Sequence, residues 1–331
     1  MKKKSDILIA GAGIIGLSLA LELHSRGAQV IVLERDTALS HASTAAAGML
    51  AVDDPHNPLA LHPLAQLSAS LYAGFLERIA IFSGITVPYQ TNITNQHTAD
   101  GSITRFVEHS LDPRHLAAAL LAAVRATSID LREHTELKFT EEWPGGIAAH
   151  CNNGDRIGVS QLVYTTGSWT STNRLGRLKL PVSPRKGQML RVLLPDSLNL
   201  QEVHRAEDIY IVPRLYGPQA GSAILGATLE DVGFDTTVQS TDLADLRHRA
   251  SRLIPTLGYD ALTLESWAGL RPATPDDLPI LGRIEYSEEF LATGHFRNGI
   301  LLAPATAVVL ADLLEHKSPA VDLTPFAPGR F

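Results

Sequence analysis

One cysteine, Cys151, stands in a chain of 331 residues. That excludes an intrachain disulfide and any cysteine-based metal cluster, and it fits a reducing, cytoplasmic setting. Basic surplus is absent: 28 Lys and Arg against 35 Asp and Glu leave a net charge of −7. No like-charged block is longer than Lys2-Lys3-Lys4, so there is no basic stripe to hold a nucleic acid. Uninterrupted apolar runs are short. The stretch from Gly299 to Leu314 is broken by Pro304 and Asp312 and falls below the ~20 residues that a membrane helix needs. H-x-x-x-H, C-x-x-C and G-x-S-x-G are all missing and the histidines are scattered, so neither a metal site nor a serine nucleophile is indicated.

What is present suits a globular protein with a large core: 45% hydrophobic and 19% charged residues. The length favours two domains. Lysines followed by an apolar segment resemble a secretory signal, but Asp6 precedes the run, glycines break it, and Glu22, His24 and Arg26 continue it. It reads instead as strand, turn and helix: a buried strand from Asp6 to Ala10, a helix from Ile14 to Arg26 ended by Gly27, and a second strand from Gln29 to Glu34. This is a βαβ unit with a right-handed crossover. Residues 40–53 are small and polar, without periodicity, and form a loop. Helices are expected from Pro63 to Phe82, from Asp112 as a cap with Pro113 in the first turn, from Thr241 as a cap to Ile254, and from Gly299 to Glu315. Strands are expected over 131–139, 147–151 and 157–164, with Asn153-Gly154 turning a hairpin between the last two. Short strands fill 181–229 and return over 262–291.

The fold class that follows is mixed α/β (α+β): a discontinuous Rossmann-like nucleotide domain with an inserted antiparallel-sheet substrate domain. The expected division is 1–83, 112–175 and 266–331 for the nucleotide domain, with 84–111 and 176–265 for the substrate domain.

Gly11-Ala12-Gly13-Ile14-Ile15-Gly16 fits G-x-G-x-x-G, between a strand and a helix. Gly11 permits the tight turn, Gly13 lets backbone approach a pyrophosphate, and Gly16 lets helix and strand pack closely. The helix N-terminus offers N–H groups and positive dipole to phosphates. Glu34 ends the second strand eighteen residues after Gly16, where a carboxylate can accept from ribose hydroxyls. The motif does not separate FAD from NAD, and Glu34 disfavours a 2′-phosphate.

Four further segments narrow the choice: Ser43-Thr44-Ala45-Ala46-Ala47-Gly48-Met49-Leu50, Tyr210-Ile211-Val212-Pro213-Arg214, Trp267-Ala268-Gly269-Leu270-Arg271-Pro272 and Gly294-His295-Phe296-Arg297-Asn298-Gly299-Ile300. In this order the chain resembles the glycine oxidase (ThiO-type) branch of the D-amino-acid oxidase family, flavoenzymes of thiamine biosynthesis, from Asp6 to Glu315. The resemblance implies FAD. It places the backbone of Ile14 and Ile15 at the pyrophosphate and Glu34 and Arg35 at the adenosine end. Ala42, Ser43, Ala47, Gly48 and Met49 lie along the path to the flavin, and Leu137 touches the adenine through its backbone. It adds Gly167 to the cofactor set, and His295, Phe296, Arg297, Asn298, Gly299, Ile300 and Leu301 as the turn at the flavin pyrimidine edge. Arg271 and Tyr210, with Arg297 nearby, would hold a substrate carboxylate, for which a guanidinium fork is suited.

The implied reaction is oxidative deamination of glycine or another small amino acid or amine, such as sarcosine or D-alanine. Dioxygen reoxidises the flavin and yields hydrogen peroxide. The cofactor carries the chemistry, so no acid or base is expected from the protein. His204, His295 and Asp208 invite such a role, and for His204 and Asp208 a hydrogen-bonded polar residue is the better reading. A homo-oligomer is implied by resemblance alone. The stretch from Gly84 to Asp112 is shorter than in glycine oxidases, which would open the pocket to larger amines. Other readings are an amine dehydrogenase with another electron acceptor, a flavin-binding protein without turnover and, more distantly, a nicotinamide dehydrogenase.

Overall fold

The computed structural model describes residues 5–143, 145–172 and 180–331. The opening lysines lie outside the described residues, as does the expected domain boundary at 175/176.

Two sheets organise the chain. The first has eight strands, and its path runs 280–283, 289–293, 156–164, 5–10, 30–33, 130–132. The five strands from 289–293 to 130–132 are parallel neighbours. Val30–Leu33 is buried at every position, as a parallel strand covered on both faces should be. Helices Ile14–Ser25, His62–Ser83, Pro113–Arg125 and Gly299–Leu314 pack into one core with this sheet. Asp112 caps the third of these by accepting from the Arg114 N–H, and Leu116, Leu120 and Val124 form its buried stripe. The second sheet has seven strands in the order 263–273, 183–193, 222–226, 210–214, 203–205, 94–97, 103–106, mostly antiparallel. Helix Ser240–Leu253 closes its own small core.

Three local expectations need correction. The single strand over 131–139 is two strands, Asp130–Arg132 and Leu137–Trp143. They are separated where His134 takes φ +55° and its N–H bonds the carbonyl of Asp36. The helix expected to be capped by Thr241 starts at Ser240, with Gln239 at the cap position and no side-chain cap bond. The strand Thr263–Ala273 runs unbroken in the second sheet, so the division at residue 266 cuts an element. We propose the same alternating division with that boundary moved past Ala273. Among the described residues no helix is long and apolar enough to cross a membrane.

Candidate active site

Parallel strands deliver their C-terminal ends to one place. Ala10, Gly11, Gly13, Leu33–Arg35, Thr165–Trp169, Ala292, Thr293 and residues 295–300 line a cavity of about 590 Å³. The second sheet closes it with Met189, Tyr210, Gly226 and Arg271. This is the strand-end crevice where open α/β sheets bind ligands, and the volume lies within the ~300–1,000 Å³ usual for cofactor and ligand sites.

Of the residues expected at the cofactor, all but Gly16 and Leu301 line this cavity. Gly16 packs behind the turn: an added Cβ would sit 2.0 Å from the Gly11 carbonyl oxygen and 2.6 Å from Thr165 Oγ1. Leu301 is buried, and its carbonyl accepts from Ser68 Oγ at 2.6 Å. Gly11 has φ +115° and no room for a side chain against the Thr165 carbonyl. At Gly13 the situation differs. An added Cβ would meet only Ser43 Oγ, at 3.4 Å, so the turn leaves open space on the cavity side. The first helix begins there with no acidic residue in its first turn, and Ser43 Oγ accepts from the Ile14 N–H at 2.9 Å. A second helix starts at Gly299 on the same cavity. Two helix N-termini and an open glycine cradle on one cavity fit a dinucleotide.

Glu34 does more than its position suggested. Its two carboxylate oxygens accept from the Ala12 N–H at 2.8 Å and the Asp36 N–H at 2.9 Å, bracing the glycine turn. Arg35 stacks over Trp169 at 4.0 Å, and His41 and Phe234 also pack on that indole. His295 is buried with its Nε2 3.1 Å from Thr306 Oγ1; burial pushes the imidazole down to about 3, so it stays neutral at ordinary pH.

At the other end, Tyr210 and Arg271 come together. Burial raises the Tyr210 hydroxyl, against the pull of the Arg271 guanidinium bonded to it, so the phenol remains a donor. Arg271 Nη1 donates to the carbonyls of Thr228 at 3.2 Å and Lys186 at 3.5 Å, and no carboxylate pairs with it among the described residues. Arg297 is already engaged, with Nη2 2.5 Å from Asp54 Oδ2.

Asp54 was missed by sequence reasoning, although two adjacent acids in a loop of small residues were a signal. It is 4% exposed at the side chain and 3.4 Å from Nη1 of the equally buried Arg205. His56 donates its backbone N–H to Asp54 Oδ1 at 2.9 Å, and its ring Nδ1 lies 3.1 Å away. Burial pushes the Asp54 carboxyl up, but Arg297 and then Arg205 hold it below the usual range. Glu108 lies 3.7 Å from Arg205, and burial leaves its carboxyl raised. Asp54→Ala strands Arg205 and is expected to cost about 3 kcal/mol, read by urea unfolding of the FAD-saturated protein. An unchanged midpoint would show that Glu108 alone balances Arg205. Asp208 lines the cavity but pairs with Arg252 and Arg249, and His204 bonds His97 at 2.9 Å away from it.

Comparison with known proteins identifies the family to which the chain belongs. The family model described as FAD dependent oxidoreductase (DAO) matches residues 6–106 and 101–313. The chain is 37% identical over 369 residues to a bifunctional protein ThiO/ThiG of Trichormus variabilis, covering 98% of this chain and 55% of that protein. It is 31% identical over 379 residues to a glycine oxidase of Geobacillus kaustophilus, covering 100% of this chain and 98% of that enzyme. The crystal structure of glycine oxidase from Geobacillus kaustophilus matches with a TM-score of 0.92 at 30% identity, covering 99% of each chain. This chain spans about half the length of the bifunctional relatives it matches.

Proposed function

We propose a reaction for this chain, which belongs to the DAO family of FAD-dependent oxidoreductases: oxidative deamination of glycine or another small amino acid or amine, with dioxygen as electron acceptor. FAD is the cofactor, and the donors of this enzyme class are amines and amino acids. The observation that carries the substrate reading is the Arg271–Tyr210 pair, a guanidinium without an acidic partner among the described residues beside a neutral phenol. A single carboxylate would satisfy both. The likeness to a glycine oxidase over 98% of its length supports an amino acid in that place.

Bound FAD supplies the two-electron acceptor for the Cα–N bond. The chain's own residues bind and orient. Arg271 and Tyr210 fix the carboxylate, which turns Cα toward the strand-end crevice. His295 stays neutral behind the turn at 295–300 and adds no charge to it. The helix starting at Gly299 directs its positive end at the same crevice, where negative charge develops on reduction. In balance, the amine gives up two electrons and two protons, the resulting imine takes up water to release an oxo acid and ammonia (methylamine from sarcosine), and dioxygen takes up the two electrons and two protons to become hydrogen peroxide.

The test is an absorbance spectrum of the purified protein, repeated anaerobically with glycine, sarcosine and D-alanine, then peroxide measured after admitting air. Flavin bands should bleach with at least one of the three, and peroxide should equal substrate consumed. Bands that never bleach would end the small-amino-acid reading. Bleaching without peroxide would turn the assignment to a dehydrogenase with another acceptor.

A further inference from the structure

The strand Ser183–Leu193 pairs antiparallel with Thr263–Ala273, placing Gly187 opposite Gly269 and Arg185 opposite Arg271. Arg271 and Gly187 are therefore diagonal neighbours on one face, within reach of a long side chain. The Arg271 side chain uses that reach. A Cβ built on Gly187 would lie 2.2 Å from Nη1, 2.3 Å from Nη2 and 2.5 Å from Cζ of Arg271. All three positions fall inside van der Waals contact, so the guanidinium lies across the glycine and fills the space a side chain would take. Gly187 itself does not line the cavity, whereas Arg271 does.

A glycine in a paired strand weakens the strand and often marks a close approach. Here the approaching group is a charged side chain. We propose that Gly187 is the positioning residue of the carboxylate site: it seats the Arg271 guanidinium flat against the sheet and so sets where its fork meets the substrate. This rests on the reading of Arg271 as the carboxylate partner. It goes beyond that reading by assigning the geometry of the fork to a residue that touches no ligand.

Relief of the clash separates function from folding. Gly187 lies outside the left-handed region, so alanine fits its backbone. The atoms in the way belong to the far end of a flexible side chain rather than to the sheet. Gly187→Ala should therefore displace the guanidinium and leave the ladder intact.

The experiment compares four FAD-loaded proteins: wild type, Gly187→Ala, Arg271→Leu and the double variant. Each is titrated with glycolate, read by perturbation of the flavin absorbance, and each is melted. Gly187→Ala is expected to weaken glycolate ~10-fold or more, as an ångström-scale misplacement does, with Tm equal to or above that of wild type. In the Arg271→Leu background the same change should have no further effect on glycolate, since the seat then has no occupant. Equal losses in both backgrounds, or no loss in either, would overturn the role of Gly187 while leaving Arg271 as the carboxylate partner. A Gly187→Ala protein that fails to fold would also overturn it, because the sheet rather than the guanidinium would have yielded. Glycolate binding unchanged by Arg271→Leu would instead remove the premise.

Discussion

Arg271→Leu should raise KM for glycine, sarcosine and D-alanine by about 100-fold or more while the flavin spectrum and the melting temperature stay close to wild type. The size follows from what is removed. Truncating one partner of a buried charge pair costs ~2–5 kcal/mol, and each ~1.4 kcal/mol is tenfold in affinity. The expectation of an intact fold follows from Arg271's own contacts. It donates to two carbonyls, Thr228 and Lys186, and leaves no buried carboxylate behind when it goes. Arg271→Lys should fall between, because an ammonium keeps the charge and loses the fork. Arg297→Leu should raise KM less, since its Nη2 is held by Asp54 and is not free for a second acid. Steady-state peroxide formation checks all three. If KM for every amino acid were untouched by Arg271→Leu, the carboxylate role would be wrong.

The contrast between Arg271 and Arg297 also marks how far the sequence could be read. Local features were legible because their causes are local. The Asp112 cap, the Asn153-Gly154 hairpin and the helix from Gly299 each depend on residues near one another in sequence, and the βαβ unit closes within about thirty residues. The strand expected over 131–139 failed because a residue far along the chain takes part: the His134 N–H bonds the carbonyl of Asp36, and the strand bends to allow it. The cavity residues expected from motif and resemblance converge, because strand ends in a parallel sheet meet by topology. What stayed hidden were pairings across long separations. Asp54 meets Arg205 and Arg297 only once both sheets are folded, and Gly187 meets Arg271 only once two strands of the second sheet, about eighty residues apart, have paired. The segment from Gly84 to Asp112 shows the same limit. It supplies two strands to the second sheet and, through Gln96 and Glu108, partners for Arg205 that no local pattern announces.

The largest expected effect on the cofactor is at Gly13, and it comes from space rather than from charge. Gly13 sits at φ −77° and ψ −178°, an extended conformation open to any residue. A Cβ there would meet only Ser43 Oγ at 3.4 Å, so the protein itself has little objection to a side chain. A dinucleotide has a strong one, since the third residue of the glycine turn is where backbone must approach the pyrophosphate. Gly13→Val should therefore purify folded and colourless, with an unchanged far-ultraviolet circular dichroism spectrum and no uptake of added FAD. Gly16→Ala should behave differently. Its Cβ would press to 2.0 Å of the Gly11 carbonyl oxygen, which belongs to the turn and cannot swing aside. That variant should lose stability together with flavin, read as a lowered Tm of the apoprotein. The two substitutions lie three residues apart in one motif, yet one tests room for the ligand and the other the scaffold behind it. A folded Gly13→Val protein that stays yellow would mean that the pyrophosphate does not lie against this turn, however well the rest of the cavity fits a flavin.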